Sequence, residues 1–156
     1  DVSGEMIAKA RRNLSGYPVR LIQAELDGAD LPAGGFDRIV CSEVLEHVVD
    51  PERMLDAMSG LLASGGRIVI TIPNDALIHR LKMFIRKSGL TVLPPLRQIA
   101  WGGDQYHLHM WQVHEMRGLL SRYFQVEQVR CAPGRALPIR VCYAAQARSR
   151  TKSTRG

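Results

Sequence analysis

FDRIVCSEVLEHVVDPERMLDAMSGLLASGGRIVITIPN, residues 36–74, decides the fold, because it reads as strand, acidic loop, helix, glycine turn and strand in succession. Residues 36–41 are an apolar run broken by Asp37 and Arg38, the pattern of a strand. Asp50 is placed to cap a helix, with Pro51 at its first position, where a missing N–H and a fixed φ cost nothing. Met54, Leu55, Met58, Leu61 and Leu62 fall on one side of a 3.6-residue period and predict the buried stripe of that helix. Gly65 and Gly66 are the expected left-handed exit. Residues 67–72, RIVITI, then form a β-branched strand suited to burial on both faces of a parallel sheet.

Working outward, Ser3 or Gly4 opens a first helix whose Met6, Ile7, Ala10 and Leu14 share a face, ended by Gly16 and Pro18. Residues 19–25 read as a strand and residues 27–35 as a loop rich in Asp, Gly and Pro. Asn74 or Asp75 caps a further helix with Leu77, Ile78, Leu81, Phe84 and Ile85 inward and Arg80, Lys82, Arg86 and Lys87 outward, a solvated cationic face. Periodicity is then lost over residues 88–111, which gather Pro94, Pro95, Trp101, His107, His109 and Trp111, and loops of that length are usually functional. A helix near residues 113–122 leads to two strands joined by the turn APGRALP, an antiparallel pair. Strand and helix in alternation, closed by such a pair, predict an α/β domain with a mostly parallel sheet.

The length of 156 residues suits one domain that buries roughly two thirds of its unfolded surface. No apolar run approaches the ~20 residues of a membrane-spanning helix. Cys41, Cys131 and Cys142 are odd in number and lack CxxC spacing, which argues against a disulfide framework or a zinc site and fits a reducing cytoplasm. Four of the six net positive charges, on Arg148, Arg150, Lys152 and Arg155, lie in residues 148–156, a patternless stretch expected to be a disordered basic tail. Nucleic-acid binding has only that tail behind it and is a minority reading.

The order of these motifs, from DVSGEMIAKAR through FDRIVCSEVLEHV to the last strands, resembles class I S-adenosylmethionine-dependent methyltransferases. The stretch SEVLEHV is similar to ubiquinone-biosynthesis O-methyltransferases and their relatives. The resemblance implies a Rossmann-like sheet in the order 3-2-1-4-5-7-6 with strand 7 antiparallel. This chain would keep strands 3 to 7 and lack strand 1, its glycine-rich loop and most of strand 2. It would be a partial methyltransferase domain over residues 1–147, with residues 88–111 as a substrate lid, acting on a small-molecule acceptor through a hydroxyl oxygen. With strands 1 and 2 missing, strand 3 is expected either to pair directly with strand 4 or to detach.

On the same resemblance Asp1, with Val2 and Met6 beside it, takes the cofactor ribose, a task suited to a carboxylate because it accepts two hydrogen bonds. Asp27 takes the adenine amino group, with Gly28 and Ala29 nearby; a turn-forming aspartate is the competing reading. Cys41 and Ser42 end a strand where open α/β sheets bind ligands, although Cys41 is equally read as a buried filler. In some of these relatives the residues matching Glu43, Glu46 and His47 bind a divalent ion, against which stands a simple helix-start role for the acids. His47, His107 and His109 are the candidate bases for a hydroxyl acceptor. Two rivals remain open: a non-catalytic fragment or partner-dependent module, and a dinucleotide-binding dehydrogenase half, against which SEVLEHV and the terminal strand pair argue.

Overall fold

A computed structural model describes residues 1–101, 108–134 and 137–148. Helix α1 (Gly4–Asn13) starts where expected, with Ser3 Oγ accepting from the Met6 N–H at 3.2 Å. Strand β1 (Phe36–Ser42) is followed by a 3-10 turn (Leu45–His47) and helix α2 (Pro51–Leu61), capped by Asp50, whose Oδ1 accepts from the Arg53 N–H at 3.0 Å. Strand β2 (Leu62–Pro73) leads to helix α3 (Asp75–Lys87), with Asn74 as its cap. Helices α4 (Pro94–Trp101) and α5 (Val113–Tyr123) precede strands β3 (Phe124–Gly134) and β4 (Leu137–Ala147).

The four strands run β1-β2-β4-β3, with β1 and β2 parallel and the other two pairings antiparallel. That is the expected order 4-5-7-6 of the resemblance, but only one pairing in the described sheet is parallel. Alternation sets the two faces. Ile68, Ile70 and Ile72 of β2 are buried with Val141, Tyr143 and Ala145 of β4 under Leu55 and Met58 of α2 and Met116 and Leu120 of α5. Burying each such aliphatic side chain stabilises by about 1.5–3 kcal/mol. The intervening Val69 and Thr71 are only half-buried, so β2 is a one-sided strand and not the doubly buried one that RIVITI suggested. Val40 on that second face is 72% exposed and borders a cleft of about 300 Å³ with Arg67, Val69 and Ala144.

Four expectations change. Residues 19–25 form no strand of the sheet; their backbone bonds the chain start instead, the Asp1 nitrogen donating to the Ile22 carbonyl at 3.1 Å and the Ala24 N–H to the Asp1 carbonyl at 3.2 Å. The segment is thus joined to the chain start and does not pair with β1. Helix α2 leaves through Leu62 in extended backbone, and Gly65 (φ 75°) lies inside β2. Gly66 is needed there too, since a Cβ would sit 2.9 Å from the Ala63 carbonyl and 3.1 Å from that of Phe36. Residues 88–101 contain a 3-10 turn (Leu90–Val92) and α4 where no periodicity was visible. Finally, α3 is rotated from its expected setting: Lys82 is 7% exposed while Phe84 is 64% exposed and Leu81 also faces out.

Candidate active site

The carboxyl-terminal ends of β1 and β2 present a connected polar rim. Ser42 Oγ and Thr71 Oγ1 are 2.8 Å apart, Thr71 donates to Glu43 Oε1 at 3.2 Å, and Arg140 Nε lies 3.4 Å from Glu43 Oε2. Glu43 holds φ at 53°, a left-handed setting uncommon for a side chain with a Cβ, and its N–H donates to the Thr71 carbonyl at 3.0 Å. Three contacts fix one strained residue where open α/β sheets bind ligands. Behind them Asn74 donates to the Pro138 carbonyl at 2.9 Å and receives the α3 cap bond, so the start of β4, which carries Arg140, is clamped to the end of β2.

Two of these residues, Thr71 and Arg140, were not singled out from the sequence. Thr71 is the last side chain of β2 on its face before Pro73, and Arg140 is a lone charge in the alternating strand PIRVCYA; each was a usable signal.

Asp1 is exposed at the threshold of α1, its Oδ1 accepting from the Ser3 N–H at 2.8 Å, and Val2 and Met6 are exposed beside it. Asp27 forms an ion pair with Arg53 through Oδ2, and the neighbouring turn is closed by the Ala29 N–H donating to the Leu26 carbonyl at 3.4 Å. Gly28 lies in that turn.

Cys41 points into the core, and burial, with the Glu46 carboxylate adding to it, pushes its thiol up to about 11, which leaves it protonated at neutral pH. Tyr143 is likewise buried, donates to the Val113 carbonyl at 3.0 Å and is pushed up by burial to about 12. Both groups hold their protons more tightly folded than unfolded, where ionisation begins near 9 and 10. The folded state then binds more protons than the unfolded one, so stability is full below about pH 9 and falls as pH rises through 11 to 12. Thermal melts at pH 8 and pH 10.5 are expected to show that fall, and Cys41→Ala is expected to flatten it; an equal slope in both proteins refutes the assignment to Cys41.

The acidic loop does not assemble as a metal centre. Glu43 engages Thr71 and Arg140, whereas the Glu46 side chain, 1% exposed, turns inward, where His47 Nε2 lies 3.9 Å from its Oε1. Among the described residues no group of three or more His, Cys, Asp or Glu side chains is placed to hold a metal ion, so Glu43, Glu46 and His47 are not brought together as one set. The physical reason is the positive φ of Glu43, which swings its carboxylate away from the helical spacing that would align it with Glu46.

Of the three candidate histidines, His107 lies outside the described residues. His109 is a strut: its Nε2 is 3.0 Å from the Val48 carbonyl, its ring stacks on Trp111 at 5.3 Å, and the N–H groups of Leu108 and His109 both donate to the Glu46 carbonyl. The segment 108–111 is thereby strapped across the 3-10 turn. His47 retains a half-exposed side chain on that turn.

Residues 1–70 match the methyltransferase domain family. Over 70 residues, 45% of this chain and 36% of the relative, the sequence is 29% identical to an uncharacterized methyltransferase of Mycobacterium tuberculosis. Over 61 residues, 39% of this chain and 24% of the relative, it is 47% identical to a ubiquinone biosynthesis O-methyltransferase of Xylella fastidiosa. The matched stretch thus spans about a third or less of these curated relatives. In fold the chain is similar to an S-adenosylmethionine-dependent methyltransferase from Mesorhizobium loti (TM-score 0.66, 20% identity, 94% of this chain and 77% of that one). It is also similar to the N-methyltransferase NodS of Bradyrhizobium japonicum in complex with S-adenosyl-L-homocysteine (TM-score 0.64, 18% identity, 96% and 65%).

Proposed function

We propose, from the match of residues 1–70 to the methyltransferase domain family, that the chain transfers a methyl group from S-adenosylmethionine to a hydroxyl oxygen of a small-molecule acceptor. When bound, the cofactor supplies an electrophilic methyl on a sulfonium with a neutral thioether as leaving group. The residues at the start of α1 fit it: Asp1 offers an exposed carboxylate to the ribose hydroxyls, and the exposed Val2 and Met6 offer apolar cover. Asp27 pairs with Arg53 through one carboxylate oxygen and keeps the other for the adenine amino group, with Gly28 and Ala29 beside it.

The single observation that carries the acceptor side is the strained Glu43 in its network with Thr71 and Arg140. Transfer between a positioned hydroxyl and a sulfonium is an in-line displacement, and orientation alone supplies effective molarities of ~10⁵ to 10⁸ M. Ser42 and Thr71 hydroxyls orient the acceptor oxygen, and Glu43, with His47 on the next turn, is placed to take its proton. The hydroxyl preference is supported by the 47% identity over 61 residues to a protein named a ubiquinone biosynthesis O-methyltransferase.

Calorimetric titration of S-adenosylhomocysteine into the folded 156-residue chain tests the cofactor half. Saturable binding is expected, and Asp1→Asn is expected to weaken it about tenfold or more, since hydrogen bonds to a charged group contribute about 1.5–3 kcal/mol. A chain that circular dichroism shows to be folded but that takes up no ligand would be a non-catalytic module, and the proposal would fall.

A further inference from the structure

β1 and β3 are the outer strands of the described sheet, and their edges are built differently. The β3 edge is blunted in ways that discourage pairing: register shifts, Pro133, and the charges of Glu127 and Arg130. β1 is regular from Arg38 to Ser42, contains no proline or glycine, and carries the exposed Val40 at its middle. Peptide groups alternate in direction along a strand. Because the Glu43 N–H donates to the Thr71 carbonyl, the N–H and carbonyl groups of Arg38, Val40 and Ser42 point away from β2. Among the described residues no other strand or loop backbone bonds them. Arg38 is exposed as well. Its guanidinium donates to the Asp37 carbonyl at 2.7 Å, and among the described residues it makes no ion pair.

We propose that β1 pairs antiparallel with β1 of a second copy about a twofold axis at Val40, joining the two four-stranded sheets into one. In that register Val40 faces its own copy and Arg38 faces Ser42 of the partner subunit, so every outward N–H and carbonyl of these three residues is bonded. Side chains repeat every second residue, so Arg38 of the partner subunit shares a face with Ser42 and lies beside Glu43, which already pairs with Arg140. Each copy thereby brings an arginine to the other's acidic rim. An axis at Arg38 would set two guanidinium groups against each other, and an axis at Ile39 would carry Ser42 onto the register shift beside Phe36. A strand of unrelated sequence could bond the same backbone groups, but it would match Arg38 and Glu43 together only by coincidence. The contact is about one strand wide, smaller than a permanent dimer uses, so a dissociation constant of about 1–100 μM is expected. The strand pairing stands without the proposed methyl transfer; the service of the second arginine to an acceptor rests on it.

Analytical ultracentrifugation of the full chain from about 1 to 500 μM, without cofactor or acceptor, tests the pairing. Monomer and dimer in concentration-dependent exchange are expected, with nothing larger. Val40→Lys changes a side chain that is 72% exposed and sets two ammonium groups against each other at the axis, so the dissociation constant is expected to rise at least ~10-fold. Val40→Pro removes one outward N–H, a change that an edge strand tolerates, and a similar rise is expected. Arg38→Glu reads the register, because it sets an acid beside Glu43 of the partner subunit and is expected to weaken the dimer at least ~10-fold. Circular dichroism checks that each variant is folded. The proposal is overturned by a monomer at about 500 μM, by a ladder of larger species, or by a dimer indifferent to either the Val40 variants or Arg38→Glu. A dimer that Phe84→Glu dissociates and Val40→Lys leaves intact assigns association to the exposed apolar side of α3, and overturns it equally. Methyl transfer is judged apart, by the homocysteine titration, so the failure of one reading is distinguishable from the failure of the other.

Discussion

Glu43→Gln is expected to slow methyl transfer to the proposed hydroxyl acceptor by about 10²- to 10³-fold while leaving S-adenosylhomocysteine affinity within about twofold. Glutamine keeps an oxygen for the Thr71 hydroxyl and nearly the same volume, but it has no charge to set against Arg140 and cannot take a proton. The backbone at this position gives a second, sharper comparison. A side chain at φ 53° stores strain of about 1–2 kcal/mol, which glycine relieves at an entropic cost of about 0.5–1 kcal/mol. Loss of the half-exposed pair with Arg140 takes away no more than about 1 kcal/mol. Glu43→Gly is therefore expected to change stability by less than about 1 kcal/mol and to lose as much turnover as the glutamine variant. Initial rates with saturating cofactor, together with urea midpoints, separate the two quantities. Turnover near that of the parent in either variant removes Glu43 from the reaction, and a matched loss of homocysteine affinity moves it to the cofactor side.

The contrast between what the sequence made visible and what it hid follows the range of the interactions. Caps are local, so Ser3, Asp50 and Asn74 could be read directly: each needs only its own side chain and the N–H three residues on. The strand order past β1 came from the family resemblance, while the terminal antiparallel pair was legible in the residues through its glycine and proline turn. Residues 19–25 were not, since a strand is made by its neighbours, and here the backbone found Asp1 in place of a sheet. The setting of α3 was hidden for a related reason. Its apolar and cationic residues mark two faces, but which face turns inward depends on what β4 and α4 offer, and the sequence of α3 alone carries no record of that.

The candidate site divides along the same line. Ser42 was found by its position at a strand end, a rule that needs no distant partner. Thr71 and Arg140 reach Glu43 from residues 28 and 97 positions away in the chain, across two different strand pairings, so nothing near SEVLEHV announces them. The i, i+3, i+4 spacing of Glu43, Glu46 and His47 invited a metal reading because it assumes helical backbone throughout. One residue in the left-handed region breaks that assumption and sends the two carboxylates to opposite destinations, one to the rim and one to the core.

Phe124→Ala is expected to cost about 3–5 kcal/mol, a large share of the roughly 5–15 kcal/mol that holds a domain of this size together. Phe124 is fully buried at the junction where α5 ends and β3 begins, so its ring fills the corner between helix layer and sheet. How much a cavity costs depends on whether the walls can close on it. Here they are pinned: the preceding Arg122 and Tyr123 both bind the Glu52 carboxylate of α2, at 2.8 Å and 3.2 Å, and Phe124 itself is paired with Ala147 in the β3–β4 ladder. Collapse would need α5 to slide, and sliding would break those bonds. Tyr123→Phe removes one of the exposed bonds and leaves the core filled, so it is expected to cost no more than about 1 kcal/mol. Combining Tyr123→Phe with Phe124→Ala loosens the wall at the cavity itself, so the double variant is expected to lose less than the sum of the two single losses. Urea unfolding of the four proteins at equal m-values measures this directly. A loss below about 1 kcal/mol for Phe124→Ala alone means that the corner repacks freely and that the ties to Glu52 do not fix α5 on the sheet.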